Sequence, residues 1–139
     1  MRALLAMVTA SLLLLAACGG QTASTSTSTG PIAVTLTDKG VVLERTSANT
    51  GAVTFVVKNT GTLTHELLVV KTDVAQDKIQ VDAEDPNKMS EDGSQGETGD
   101  LAAGESKTLT FNLPAGNYVL MCNQPGHYML GMHIAFVVK

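Results

Sequence analysis

One stretch of the 139-residue chain concentrates reactive side chains: Tyr118-Val119-Leu120-Met121-Cys122-Asn123-Gln124-Pro125-Gly126-His127-Tyr128-Met129-Leu130-Gly131-Met132-His133. A thiol, an imidazole and a thioether follow one another at Cys122, His127 and Met132, with four residues between neighbours. The Pro125-Gly126 pair lets a single loop turn back on itself, so one loop can present all three. A fourth donor, His65, opens an apolar run far upstream, after the turn at Gly61. Thiolate and thioether suit Cu(I), imidazole suits Cu(II), and two His with one Cys and a weak axial Met form a copper site that passes single electrons. Such a site has every position filled, leaving none for a substrate. No separate nucleophile and base pair is evident, so the chain is not expected to be an enzyme.

Each of these residues has a plainer reading on its own. A single Cys on a strand is usually a small buried hydrophobe, Met132 could fill core space, and His65 could be a hydrogen-bonded strand-end histidine. Together the plain readings weaken, because an exported chain that keeps one unpaired thiol risks its oxidation unless something occupies it. Next to Met132 on a strand, His133 should point the opposite way and serve as a surface or structural residue. By the same alternation Met121 points away from Cys122, and Met129 belongs to the loop surface.

The elements that must hold these donors read as strands. Apolar residues alternate at Ile32, Val34 and Leu36, at Val53, Phe55 and Val57, and at Leu109, Phe111 and Leu113. Turn signals separate the runs: Asp38-Lys39-Gly40, Asn49-Thr50-Gly51, Asn59-Thr60-Gly61 and Pro114-Ala115-Gly116-Asn117. Leu67 to Val70 and Ile134 to Val138 are continuously apolar and suit central strands buried on both faces. The expectation is an all-β, antiparallel sandwich of seven or eight strands over residues 31–139. Between Asp73 and Glu105 the pattern breaks into an acidic excursion with a short helix near Val74 to Val81. Its bland reading is a solvated surface loop; its sharper reading is a docking face for a cationic partner or a collector of metal cations.

Residues 1–17 carry one early cation, Arg2, and an apolar run too short to span a bilayer comfortably, the pattern of a secretory signal. The tetrad Leu15-Ala16-Ala17-Cys18 resembles a bacterial lipobox, which implies cleavage before Cys18 and lipidation of its sulfur. Residues 18–30 then form a lipidated cysteine and a Ser/Thr-rich tether reaching about 20 Å. Nine Lys and Arg against 13 Asp and Glu give a formal charge of −4, so no basic face exists to neutralise the phosphates of a nucleic acid. Two cysteines exclude a disulfide-dense scaffold.

Residues 31–139 resemble the cupredoxins, the small blue copper proteins of the azurin, plastocyanin and rusticyanin kind. Cys122, Pro125, Gly126 and His127 match the family's Cys-Pro-Gly-His loop, Gly131-Met132 matches its Gly-Met pair, and His65 matches its upstream histidine. The resemblance implies a Greek-key β-sandwich, one copper ion cycling between Cu(I) and Cu(II), and a monomeric one-electron carrier. It also implies an electron port at the loop histidine, ringed here by Pro125, Tyr128, Met129 and Leu130. Partners would be redox proteins such as cytochromes or membrane oxidoreductases, met outside the cytoplasm by a protein anchored to a bacterial membrane. The alternative is copper delivery, storage or resistance, suggested by the acidic excursion and by Met121, Met129, His133 and Glu66. Several relatives carry Asn where Glu66 stands, so the support around the ligand loop departs from their pattern.

Overall fold

The structure is a computed structural model that describes residues 30–139. The signal segment, Cys18 and all of the tether but Gly30 lie outside the described residues. Among the described residues nine strands form two facing sheets. They are β1 (Ile32–Thr37), β2 (Gly40–Leu43), β3 (Ser47–Ala48), β4 (Gly51–Asn59), β5 (Leu68–Lys71), β6 (Ser94–Glu97), β7 (Ser106–Leu113), β8 (Gly116–Met121) and β9 (His133–Val138). One sheet has the order β2-β1-β4-β7 and the other β3-β9-β8-β5-β6. The strands beyond the expected number are the short, polar β3 and β6, which have no apolar alternation to reveal them.

Period-two burial builds the core. Ile32, Val34 and Leu36 of β1 and Val53, Phe55 and Val57 of β4 face inward onto Leu67, Val69, Tyr118, Leu120, Phe136 and Val138 of the other sheet. Phe55 spans the two layers, with ring centroids 6.3 Å from Phe111 and 5.4 Å from Phe136. Cys122 and Met132 belong to this same core, at one end of the sandwich.

Three expectations need correction. The sheets are mixed rather than antiparallel throughout, because β1 pairs parallel with β4 and β3 parallel with β9. The chain leaves the first sheet after β2, joins the second at β3, and returns at β4, so strands from different crossings lie side by side. Ile134 to Val138 is not buried on both faces: Ala135 and Val137 are exposed, since the cluster that covers the outer face of this sheet draws on β5 and β8 and includes no β9 residue. Leu67 to Val70, by contrast, is buried throughout. Leu68 and Val70 point away from the main core and join Met89, Val119, Met121 and Tyr128 in a second cluster beneath the 73–105 excursion.

That excursion contains no helix at Val74 to Val81; the segment runs as bends and turns. The groups a helix would use are taken by Tyr128, whose hydroxyl accepts from the Ile79 amide at 2.9 Å and donates to the Gln76 carbonyl at 2.8 Å. A tertiary partner therefore overrides local propensity.

The inward register of β4 ends on a polar residue, Asn59, which is wholly buried. Its amide donates to the carbonyls of Leu63 at 2.8 Å and Leu101 at 2.9 Å, and its side-chain oxygen accepts from the Gly61 amide at 2.9 Å. It thereby sets the loop leading to His65. Asn59→Ala should lower the unfolding free energy by about 2 kcal/mol, because buried partners are left unsatisfied. An unchanged denaturation midpoint in urea would show that those groups find other partners.

Candidate metal centre

Cys122 follows β8 directly, and its amide donates to the Met132 carbonyl at 2.9 Å, so the strand ladder continues into the loop. The loop returns through a 3-10 turn at Tyr128–Leu130 that Gly131 closes with φ of 98°, a conformation suited to glycine. The amide of Met132 then donates to the His127 carbonyl at 3.2 Å. On the other side His65 sits just before β5 and exchanges two backbone bonds with Leu101, at 3.1 and 2.8 Å.

These constraints bring three of the sequence-predicted donors together. The Nδ1 atoms of His65 and His127 are 3.1 Å apart, and the Cys122 sulfur lies 3.8 Å from the first and 3.5 Å from the second. Such separations fit donors about 2.0–2.3 Å from a common centre. Met132 is buried at the same end of the core, tied by backbone bonds to both Cys122 and His127. His65, Cys122 and Met132 are sealed from solvent, while His127 is half-buried and reaches the surface.

The electrostatics suit a cation. Burial pushes the Cys122 thiol up, against the lowering effect of the Glu66 and Gln124 amides, the first of which donates to the sulfur at 3.4 Å. Burial, and secondarily the charge of His65, holds His127 below the ordinary histidine range. Two imidazole nitrogens at 3.1 Å with their lone pairs converging need a proton or a metal ion between them. The donor set therefore fits copper, with His65, Cys122 and His127 as ligands and Met132 as the weaker fourth.

Residues that sequence reasoning missed hold the site. Asp38, in the turn between β1 and β2, accepts from His65 Nε2 at 2.9 Å. No spacing signal links a turn aspartate to a histidine 27 residues later. The bonds that Asp38 accepts, the Thr62 amide's foremost and the His65 bond next, hold its carboxyl well below the usual carboxylate range. Asn123, buried, accepts from the Met89 amide at 2.8 Å and donates to the Met89 carbonyl and to Glu91, both at 3.0 Å. Gln124 donates to Asp100 at 2.7 Å, and the Gly126 amide to the Asn87 carbonyl at 2.8 Å. The acidic excursion is thus part of the ligand loop's support as well as a solvated face.

The expected surface ring around His127 loses one member. Tyr128 is buried, its hydroxyl bonded to the excursion and its ring centroid 4.6 Å from that of His133. Pro125, Met129 and Leu130 are exposed, Leu130 at 74%. Leu63, on the loop before His65, is a further exposed apolar residue. His133 is half-buried against Tyr128, a structural place, and Met121 packs in the second cluster away from the donors.

Glu66, beside His65, is buried with one carboxylate oxygen unpartnered. Burial, reinforced by Glu97, raises its pKa from 4.5 to about 7, with Lys88 opposing. A carboxyl whose pKa rises on folding contributes stability below pH 4.5 that is lost as pH climbs through about 7. In the metal-free protein Glu66→Gln should therefore gain thermal stability relative to wild type between pH 4.5 and 8. A difference constant with pH would refute the burial of a charged Glu66.

Residues 21–139 match the sulfocyanin (SoxE) domain family. No curated protein sequence matches the chain. Among solved structures, dithionite-reduced auracyanin from Roseiflexus castenholzii is 26% identical, with 77% of this chain and 94% of that one covered and a TM-score of 0.59. Rusticyanin from Thiobacillus ferrooxidans is 18% identical over 78% of this chain and 75% of its own, with a TM-score of 0.61, a likeness of fold. Auracyanin A from Chloroflexus aurantiacus, described as a blue copper protein, is 24% identical over 79% of this chain and all of its own, at a TM-score of 0.53.

Proposed function

Since the chain belongs to the sulfocyanin (SoxE) family and is a blue copper protein of cupredoxin fold, we propose that it carries single electrons between redox proteins outside the cytoplasm, tethered to a membrane through Cys18. The observation that carries this reading is the closed triangle of His65, Cys122 and His127, with edges of 3.1 to 3.8 Å. Copper bound there supplies one-electron exchange between its Cu(I) and Cu(II) states.

The chain's own residues keep the rearrangement that accompanies such exchange small. His65 is clamped by its backbone bonds to Leu101 and by Asp38, and Cys122 by its ladder to Met132. Close packing around the buried donors resists displacement and excludes water. His127 offers a route outward, between the exposed Pro125, Met129 and Leu130. An apolar patch of this kind is a contact surface, and a small one suits partners that must let go.

The polarity of β1 supports a patch turned away from the tether. The strand begins at Ile32, next to the tether, and ends at Thr37, beside the Asp38 that holds His65. Six strand residues span about 20 Å. A tether joined beside Ile32 would enter at the end of β1 away from Asp38, which supports a port left open to cytochromes or the projecting parts of membrane oxidoreductases. Glu91 and Asp100, exposed and bonded to the ligand loop, favour a partner with a cationic rim. The protein acts as a monomer in this reading.

Copper delivery, storage or resistance draws less support. Met121 and His133 are packed away from the donors, and no second group of three His, Cys, Asp or Glu donors is gathered among the described residues.

Adding Cu(II) to the purified protein should produce an intense visible thiolate-to-copper band that persists through repeated oxidation and reduction. Cys122→Ser should abolish the band, and a wild type that stays colourless at saturating copper would overturn the reading. Leu130→Lys should leave the band intact while slowing electron exchange with a redox partner roughly tenfold, the equivalent of about 1.4 kcal/mol at a contact residue. Unchanged exchange kinetics would remove the patch from the port.

A further inference from the structure

We propose that Asp38 is a positioning residue for the copper centre, its carboxylate orienting His65 so that Nδ1 faces Cys122 and His127, and its charge favouring Cu(II) over Cu(I). The inference rests on the blue-copper reading and adds a determinant of the reduction potential that lies outside the ligand set.

The turn that carries Asp38 does not need it. Thr37 closes that turn, its hydroxyl donating to the Gly40 carbonyl at 3.1 Å and accepting from the Lys39 amide at 3.2 Å. Asp38 instead reaches across to the loop before His65. Its carboxylate accepts from the Thr62 amide at 2.9 Å, the Thr62 hydroxyl at 2.8 Å, the Leu63 amide at 3.1 Å and His65 Nε2 at 2.9 Å. A carboxylate with so many donors around it can only accept, so Nε2 must carry the hydrogen. Nδ1 is then left with a free lone pair, 3.1 Å from its counterpart on His127 and 3.8 Å from the Cys122 sulfur.

Gly61 shows that the approach is built into the chain. A Cβ at residue 61 would lie 2.2 Å from Asp38 Oδ1 and 2.9 Å from His65 Nε2. Any side chain there must push the two groups apart. Gly61 is therefore required by the contact between Asp38 and His65, not by a left-handed backbone.

A carboxylate bonded to the far nitrogen of a ligating histidine fixes the ring and makes it a more basic donor. The added basicity and the nearby negative charge favour the more highly charged ion. A carboxylate that merely stapled two loops would stabilise the fold without discriminating between oxidation states, and that difference can be measured.

The test compares full-length wild type with Asp38→Asn and Gly61→Ala. Asp38→Asn keeps an oxygen for the Thr62 and Leu63 amides but removes the charge; Gly61→Ala keeps the charge but displaces it from His65. In both, the visible band of the copper-loaded protein should persist while the preference for Cu(II) over Cu(I) falls about tenfold, a rise in potential of about 59 mV for a one-electron couple. Equal potentials in wild type and both variants, with only stability reduced, would overturn the proposal in favour of a staple. Nitrogen-15 shifts of the metal-free protein supply a reading that needs no copper: His65 should be the Nε2–H tautomer in wild type and in Asp38→Asn, whose amide oxygen still accepts from it, and lose that preference in Gly61→Ala. A different wild-type tautomer, or one unaffected by Gly61→Ala, would overturn the positioning role. A wild type without a visible band, but with the expected tautomers, would instead defeat the copper reading and leave Asp38 as the residue that orients His65.

Discussion

The structure turns on holding two imidazole nitrogens and a thiol sulfur within 3.8 Å of one another inside an apolar core. Left free, such groups would separate: the lone pairs converge, burial disfavours the thiolate, and nothing apolar is gained by the encounter. Each donor is therefore pinned from behind. Cys122 is locked to Met132 by the backbone, His65 to Leu101 by the backbone and to Asp38 by its ring, and His127 by the returning turn that ends at Gly131.

The two sheets serve this constraint differently. β1 and β4 contribute much of the packed layer, and their far ends supply the residues that steady His65, namely Asp38 after β1 and Asn59 at the end of β4. The sheet containing β5, β8 and β9 carries the ligand loop itself. Over β5 and β8 its outer face is covered by a second apolar cluster in which Met89 and Tyr128 bind the acidic excursion to the loop, with Asn123 pairing to Met89 as a strand backbone would. One polar side chain thus replaces a missing ladder, and the excursion becomes a wall of the site.

Sealing three donors and exposing part of one gives the molecule a direction. The half-buried His127 emerges among exposed apolar side chains at the pole opposite the start of β1. Rigidity at the donors and access at a single edge are compatible because they involve different atoms of the same loop: its backbone is bonded inward, while Met129 and Leu130 project outward.

Much of this was legible in the residues alone. Alternating apolar positions specify β-strands through the pleat, and Cys122, His127, Met132 and His65 announce soft and borderline metal donors through their chemistry and spacing. Local patterns could not reveal what depends on contacts between distant segments. The segment at Val74 to Val81 loses its helix to the Tyr128 hydroxyl, Tyr128 leaves the surface for the second cluster, and β9 stays open on one face because that cluster covers β5 and β8 and includes no β9 residue. The parallel pairings and the meeting of Asp38 with His65 likewise arise from where the chain crosses between sheets. Side-chain identity is a property of each position, and so donor chemistry can be read in one dimension; hydrogen-bond partnership and burial are properties of pairs, and they exist once folding has brought the pairs together.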